Sequence, residues 1–367
     1  MIRLLLICIF IQSFILKAED PIRISLLTTD PGDLPHTLFG HSALRVRQGE
    51  DFDKIYNFGL FDFKTPNFGL KFLGGRLEYW LGRQSLDGFI EVNNKEQRII
   101  REQVLDIEDQ QALRIFELLK NRHTSEDRFY RYSFTFKNCT SEIRDIFINE
   151  GLISTQGASN RTYRQMINSY LDRPSWTRFG LNLVLGVEMD RKISYEESLF
   201  LPADLENAVE NKDGLVLEHH VLNDPKPLEK PSWLRYLYSP FAIFSFLVIL
   251  SSFWKPMWWR FTIYFIIGVM GVFISYLWMT TLHPEIQNNL NVFWCNPLFL
   301  LFFAALIIKR GETIIGFLIF GFLLLTILSW IFQIQHFEWA VLPISILLFQ
   351  FVKKDLTETE LAKSLKS

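Results

Sequence analysis

The sequence YRYSFTFKNCTSEIRDIF spans residues 130–147 and changes its apolar period at a single cysteine. Aromatic residues alternate with polar ones over 130–137, which predicts a strand with one buried face. After Cys139 the apolar spacing becomes that of a helix, with Asn138 as a suitable N-cap and Gly151 as a suitable C-cap. The pattern therefore predicts a strand that leads into a helix of about three turns, which begins at or beside the cysteine.

Cys139 is a candidate nucleophile because of its predicted position at the start of a helix. The positive end of the helix dipole and the unpaired N–H groups there favour the thiolate, which is the reactive form. The same N–H groups can stabilise the oxyanion that forms when the sulfur attacks an acyl carbon. The alternative is a small buried cysteine, since free cysteines are among the most buried residues.

A candidate base lies in GHSALRVR (40–47). The alternation in this stretch predicts a strand with His41 on its more polar face. A histidine on an open strand face and a cysteine at a helix start are the two parts of a Cys-His acyl-transfer site, although an ordinary hydrogen-bonded histidine is the alternative. The next strand, 54–63, contributes Asn57 and Asp62, and the residues alone leave open which of them orients the imidazole.

The composition excludes some classes of function. The 367 residues are 49% hydrophobic and carry a net charge of −2, so the chain lacks the basic surface that nucleic-acid binding requires. Its three cysteines, Cys8, Cys139 and Cys295, form neither a CxxC pair nor a metal-binding cluster with histidines. We therefore expect no metal and no diffusible cofactor.

The first two thirds of the chain have the character of an exported domain. Residues 1–18 combine Arg3 with an apolar run that ends at Ala18, which predicts a secretory signal peptide, with an uncleaved anchor as the alternative. Residues 19–230 mix strand and helix patterns and predict an α+β domain. Aromatic residues crowd the stretch 58–80, which is more typical of an ordinary core, and the alternative is an acyl-chain groove or a membrane-facing lip.

From residue 237 onward few charges interrupt long apolar runs, so 231–352 is predicted to be a transmembrane domain of five helices. The spans are expected near 237–253, 260–280, 292–308, 313–333 and 338–352, of which the last is marginal in length. Basic residues flank one set of span ends, and the positive-inside rule makes that side cytoplasmic, with the tail 353–367. Residues 19–236 and the loop 281–291 are then periplasmic.

The loop LHPEIQNNLNVFWCNP (282–297) gathers polar residues at the outer mouth of the second and third predicted spans. Buried polar groups at membrane depth are costly unless they serve a purpose, so four of these residues are candidates for substrate binding. They are His283, Asn289, Asn291 and Asn296. The alternative is that they cap the ends of the two spans.

Six segments of the chain, in this order, together resemble the Lnb family of bacterial lipoprotein N-acyltransferases. They are FGHSALRV (39–46), YNFGLFDF (56–63), KNCTSEIRD (137–145), GLNLVLG (180–186), LPADLENAV (201–209) and HPEIQNNLNVFWCNP (283–297). The resemblance implies a permuted papain-like periplasmic domain of the NlpC type, followed by five helices in the bacterial inner membrane.

The resemblance also implies a reaction, in which a fatty acyl chain moves from a membrane phospholipid to the α-amino group of diacylated lipoproteins. It assigns the nucleophile to Cys139 and the base to His41, and Asn57 is taken as the third residue although the resemblance does not settle it. Asn138 and Arg45 lie in the same motifs and are predicted to bind substrate. A membrane-anchored cysteine peptidase or peptidoglycan amidase of the NlpC type, or a non-catalytic envelope receptor, is the alternative.

Overall fold

The computed structural model describes residues 20–171, 175–223, 225 and 233–364. The predicted signal peptide at 1–18 lies outside these residues. The described chain consists of an α+β part followed by a helical part, which agrees with the predicted fold class at this level.

A seven-stranded antiparallel sheet forms the centre of the α+β part. Its strands are β1 (Ile22–Thr29), β2 (His41–Gln48), β3 (Phe52–Leu60), β4 (Glu78–Gln84), β5 (Ile100–Leu105), β6 (Phe129–Arg131) and β9 (Val216–Val221). Their order across the sheet is β6-β4-β3-β2-β1-β5-β9. The short strands β7 (Ala158–Thr162) and β8 (Lys192–Ser194) form a separate pair.

Helices cover both faces of the sheet. They are α1 (Phe68–Leu73), α2 (Leu86–Lys95), α3 (Asp109–Thr124), α4 (Cys139–Asn149), α5 (Tyr163–Ser169), α6 (Trp176–Val184), α7 (Tyr195–Ser198) and α8 (Pro202–Glu210). On one face, Leu44 and Phe58 pack in the same core as Ile143 of α4. On the other face, Ala43 packs with Phe89 of α2. Because α4 lies on β2 and β3, its first residue comes close to the start of β2.

The strand predicted over 130–137 is wrong beyond Arg131. Residues 132–138 form a turn in which the backbone groups of Ser133 and Lys137 hydrogen-bond to each other at 3.0 and 3.1 Å. Two aromatic residues of the turn, Phe134 and Phe136, pack against Phe200 and Tyr163 from distant parts of the chain. These tertiary contacts outweigh the local alternation.

Five helices occur in the helical part of the described chain. They are α9 (Pro240–Phe253), α10 (Met257–Thr280), α11 (Leu298–Ile308), α12 (Glu312–Ile331) and α13 (Val341–Ser364). Of these, α10 and α12 are long and apolar enough to cross a membrane. With 14 and 11 residues, α9 and α11 are shorter than the roughly 20 residues that a full span needs. The structure therefore matches the predicted number of helices but not five full-length spans.

Two helix boundaries differ from the prediction. The third helix begins at Leu298 rather than near 292, directly after Pro297, and the side chain of Asn296 accepts a hydrogen bond from the Leu298 N–H at 3.0 Å. The last helix continues past 352 to Ser364, since the buried Asp355 pairs with Arg260 and anchors this turn to α10. The predicted tail at 353–367 thus begins as part of a packed helix.

Candidate active site

Cys139 is the first residue of α4, as the sequence predicted. The Oδ1 atom of Asn138 accepts hydrogen bonds from the N–H groups of Thr140 and Ser141, both at 2.8 Å. The Asn138 Nδ2 group donates to two backbone carbonyls, so the hydrogen-bonding capacity of this buried side chain is used within the protein. Asn138 therefore builds the helix start, and its predicted role in substrate binding stays a prediction.

His41 is the first residue of β2, and its ring lies between Asn57 and Cys139. The Nε2 atom is 3.1 Å from Oδ1 of the buried Asn57, and because an amide oxygen can only accept, Nε2 carries the proton. The other ring nitrogen, Nδ1, remains for the thiol. Asp62 instead accepts a hydrogen bond from the Lys64 N–H beyond the end of β3. Of the two residues left open by the sequence, the structure brings Asn57 to the imidazole.

The thiol of Cys139 is activated by its surroundings. Burial alone would raise its pKa, but the charge and hydrogen bond of His41, the Ser42 backbone N–H and the Thr140 hydroxyl together lower the pKa to about 7. A thiol with this pKa is substantially ionised near neutral pH. The cysteine as a whole is half-buried rather than fully enclosed.

The imidazole of His41 responds in the opposite direction. Burial lowers its pKa, but the charge and hydrogen bond of Cys139 and the hydrogen bond of Asn57 raise the pKa above 6.5, despite the nearby charge of Arg98. Buried Arg98 also donates to Thr29 Oγ1 at 2.6 Å, and that hydroxyl donates to the His41 carbonyl at 3.3 Å. Sequence reasoning missed Arg98, since no motif marks it.

Arg45 lies away from this pair. It is four residues along β2 from His41, or about 13 Å at 3.3 Å per residue. Its guanidinium binds the carboxylates of Asp53 and Glu102, and it is buried together with Glu102, whereas Asp53 is partly exposed. Its charge is thus already paired inside the protein, and the predicted role of Arg45 in substrate binding stays a prediction.

Asn289 and Asn291 were predicted to bind substrate, but both are buried among structural partners. The Nδ2 group of Asn291 donates to the carbonyls of Asn182 and Leu183, and its Oδ1 accepts from Trp294 Nε1 at 2.8 Å. Asn289 donates to the same Leu183 carbonyl at 2.9 Å. These side chains join the loop to α6, so the alternative of a structural role describes them better.

The other two residues of that prediction also make internal contacts. The Nε2 atom of His283 donates to the carbonyl oxygen of Phe72 in α1 at 2.8 Å. Asn296 accepts a hydrogen bond from the Leu298 N–H at the start of α11 and donates to the Phe293 carbonyl at 2.8 Å. The structure thus gives both residues positions in the framework rather than in an open site.

Glu285, from the same loop, is a residue that sequence reasoning missed. Its Oε1 atom accepts hydrogen bonds from Ser133 Oγ at 2.6 Å, the Thr135 N–H at 3.0 Å and Thr135 Oγ1 at 3.1 Å. The carboxylate is buried, and its Oε2 lacks a hydrogen-bond partner among the described residues. Glu285 therefore fastens the helical part to the turn that precedes Cys139. A charged residue in an otherwise apolar half was the signal that could have found it.

Gly59 of β3 leaves space beside the thiol. Its φ is +84°, and a Cβ atom at this position would lie 3.5 Å from the Tyr132 ring and 3.8 Å from Cβ of Cys139. The Tyr132 ring stacks on Tyr79 with 4.5 Å between centroids. One side of the cysteine is therefore bordered by aromatic rings, and the positive φ favours glycine at position 59.

A large cavity lies elsewhere in the described chain. It has a volume of about 910 Å³ and is lined by residues of α5, α6 and the α12–α13 connection, including Arg164, Arg178 and His336. Cys139, His41 and Asn57 do not line this cavity. In the part of the chain that the structure describes, no cluster of histidine, cysteine or carboxylate side chains could hold a metal ion.

Two family models match the chain. The Lnb N-terminal periplasmic domain matches residues 17–169, and the Lnb transmembrane domain matches residues 234–353. Neither a curated protein nor a solved structure matches it. Cys139 and His41 fall within the first match and Glu285 within the second, and the family indicates a function of the lipoprotein N-acyltransferase type. The chain thus belongs to the Lnb family, and it is a membrane protein with a periplasmic N-terminal domain.

Proposed function

We propose that the protein transfers a fatty acyl chain from a membrane phospholipid, through a thioester on Cys139, to the α-amino group of the lipidated N-terminal cysteine of diacylated lipoproteins. The observation that carries this proposal is the contact of a low-pKa thiol with His41, which Asn57 orients. The hydrogen bonds of Glu285 support it, because they hold the nucleophile turn against the membrane part, where both lipid substrates reside.

In the first step the Cys139 thiolate attacks the carbonyl carbon of an acyl ester. A carbon–sulfur bond forms first, and the carbon–oxygen bond of the ester then breaks to leave the thioester. Protonated His41 gives its proton to the departing oxygen, so that a lysophospholipid leaves and the imidazole becomes neutral. Asn57 accepts from Nε2 throughout and keeps Nδ1 directed at the reacting atoms.

In the second step the α-amino group attacks the thioester carbon. Such an amine has a pKa of about 7.7 to 8, so a useful fraction is neutral near pH 7. Neutral His41 takes the proton that the amine loses, the carbon–sulfur bond breaks, and the amide product leaves. The thiolate and the imidazolium are then restored together.

The oxyanion of each step requires a hydrogen-bond donor. The Asn138 side chain already accepts from Thr140 and Ser141, and the Glu142 N–H donates to the Asn138 carbonyl. Among the first N–H groups of α4, the N–H of Cys139 is the one to which these hydrogen bonds of Asn138 do not extend. We assign it to the oxyanion, since it lies on the residue that carries the sulfur.

The test uses the full-length protein in phospholipid vesicles with a synthetic diacylated lipopeptide. We expect mass spectrometry to detect the lipopeptide with one added acyl chain on its α-amino group. The enzyme itself is expected to carry an acyl label that hydroxylamine removes, because thioesters react with hydroxylamine. A matched lipopeptide with an acetylated α-amino group is the control and should remain unchanged.

The cysteine peptidase or amidase alternative predicts a different product. In that case the same preparation would cleave peptidoglycan stem peptides and leave the lipopeptide amine free. Cleavage without N-acylation would reject the proposed function.

A further inference from the structure

The connection between β3 and β4 exposes apolar side chains to the surroundings. Phe63, Leu70, Phe72 and Leu73 are 62%, 69%, 48% and 36% exposed, and α1, which contains the last three, has no buried residue. A contiguous apolar patch of this kind is unfavourable in water and typical of a surface that binds a partner. We use the name lip for residues 61–73.

The lip is joined to the end of a membrane helix. Directly after α10, Thr281 Oγ1 donates to the Leu73 carbonyl at 2.8 Å, and the Leu282 N–H donates to the Gly74 carbonyl at 3.0 Å. The bond from His283 to the backbone of α1 adds a third link. Gly75 has φ +65°, and a Cβ atom there would lie 3.0 Å from the His283 nitrogen, so the two backbones are in close contact.

This attachment determines what the lip faces. The 24-residue α10 is apolar enough to cross a bilayer, and the lip is bound to the residues that follow its last turn. A helix of this length spans the hydrocarbon core, so its end lies at the level of the lipid headgroups. The exposed rings and leucines of the lip are therefore at the depth where apolar side chains enter the interface.

A row of aromatic rings leads from the lip to the candidate active site. Phe68 contacts Phe61 with 5.8 Å between ring centroids, and Phe61 contacts Tyr79 at 5.3 Å. Tyr79 stacks on Tyr132, which borders the space beside Cys139. The ring contacts continue without a break from the lip to Tyr132, so aromatic side chains occupy the whole distance between the lip and the cysteine.

We propose that the lip is embedded in the lipid surface on the periplasmic side of the membrane and that its aromatic row receives the acyl chain on the way to Cys139. The first half follows from the exposure of the lip and its attachment to α10. The second half rests on the proposed function.

The test places an environment-sensitive fluorophore on the lip of the full-length protein in nanodiscs. The background carries Cys8→Ser and Cys139→Ser, and Cys295 is fully buried. Leu70→Cys is the probe position. Leu217→Cys is the matched control, because Leu217 is 53% exposed on β9, five strands and roughly 24 Å from β4 across the sheet.

We expect the Leu70 probe to emit at shorter wavelength and to lose most of its emission when the lipids carry a nitroxide on the acyl chain. The Leu217 probe is expected to keep its emission. Phe63→Cys repeats the measurement if the Leu70 variant fails to fold, and the background without an added cysteine reports any labelling of Cys295.

Equal quenching at the lip and at Leu217, or no quenching at either, would overturn the proposal. The measurement uses no acyl transfer. A negative result would therefore leave the proposed function standing, and a failure of N-acylation would leave the membrane contact standing.

Discussion

The nucleophile turn and the loop 281–297 both gather polar residues, yet they use them in opposite ways. In the loop, Asn289 and Asn291 are buried, and their amide groups bind neighbouring backbone and side-chain atoms. At the turn, Cys139 stays half-buried, and its partner His41 shifts the thiol pKa to about 7. In a structural cluster the polar groups are occupied by partners inside the protein, whereas in a candidate site at least one reactive group is left for a substrate.

Glu285 belongs to both regions. It lies in the loop, but its side-chain Oε1 atom accepts three hydrogen bonds from Ser133 and Thr135 in the turn before the nucleophile. The two regions therefore meet at this carboxylate. Substitutions in the active-site pair, in the loop and at Glu285 can therefore distinguish residues that take part in the reaction from residues that hold the structure together.

The largest effect is expected at the nucleophile. Cys139→Ser replaces the low-pKa thiol with a hydroxyl that the site does not ionise, so we expect N-acylation to fall at least about a thousandfold. The measurement is the rate of lipopeptide acylation, with hydroxylamine-sensitive labelling of the enzyme. Cys295→Ser is the matched control, since Cys295 is fully buried and donates only to the Ile267 carbonyl, and acylation should persist. Retained labelling of Cys139→Ser would refute the role of the thiol.

A smaller loss is expected for the base. His41→Ala removes the proton acceptor and should reduce the rate about a hundredfold. Without the imidazolium, burial dominates and raises the pKa of Cys139, so alkylation by iodoacetamide should shift its midpoint from about 7 toward 9.0. The wild type gains thiolate as pH rises through about 7, whereas the variant should gain it only at higher pH. An unchanged midpoint would show that His41 does not set the thiol pKa.

Glu285→Ala tests the link between the two regions. It leaves the Ser133 hydroxyl and the Thr135 N–H without their acceptor, so the turn before Cys139 should loosen and the rate should fall about tenfold. Glu338→Ala is the matched control, because Glu338 joins the same two parts through Arg178 of α6 and does not contact the turn. If both variants lost the same fraction of the acylation rate per folded molecule, the rate would depend on the overall contact between the two parts and not on the bonds of Glu285 to the turn.

The smallest effect on the rate is expected at Asn291. Asn291→Ala leaves the Trp294 Nε1–H without an acceptor, which should lower the free energy of unfolding by about 1 to 3 kcal/mol. Acylation per folded molecule should stay unchanged. Thermal unfolding in detergent, together with the rate, checks both statements. A reduced rate with an unchanged unfolding transition would restore the predicted substrate-binding role.

Local patterns in the sequence predicted the two elements that carry the candidate site. The alternation after Gly40 specified the strand of His41, and the cap at Asn138 with the helical spacing beyond it specified the start of α4. Periodicity and capping depend on residues within a few positions of each other, so they are visible without a fold.

The turn at 132–138 was not predictable in this way. Its alternating aromatic residues have a strand pattern, but Thr135 finds its hydrogen-bond partner in Glu285, 150 residues later in the chain. The choice of Asn57 over Asp62 likewise depends on how β3 lies beside β2. Partners at such separations are decided by packing.

The sequence by itself determined the helix that begins at Cys139, the strand that begins at His41 and the apolar character of the chain after residue 237, because each follows from local composition and spacing. Only the tertiary structure decided which polar groups remain available for chemistry. A hydrogen-bonding group is free or occupied according to what folding brings to it, and for the asparagines of the loop 281–297 those partners include α6, more than a hundred residues earlier.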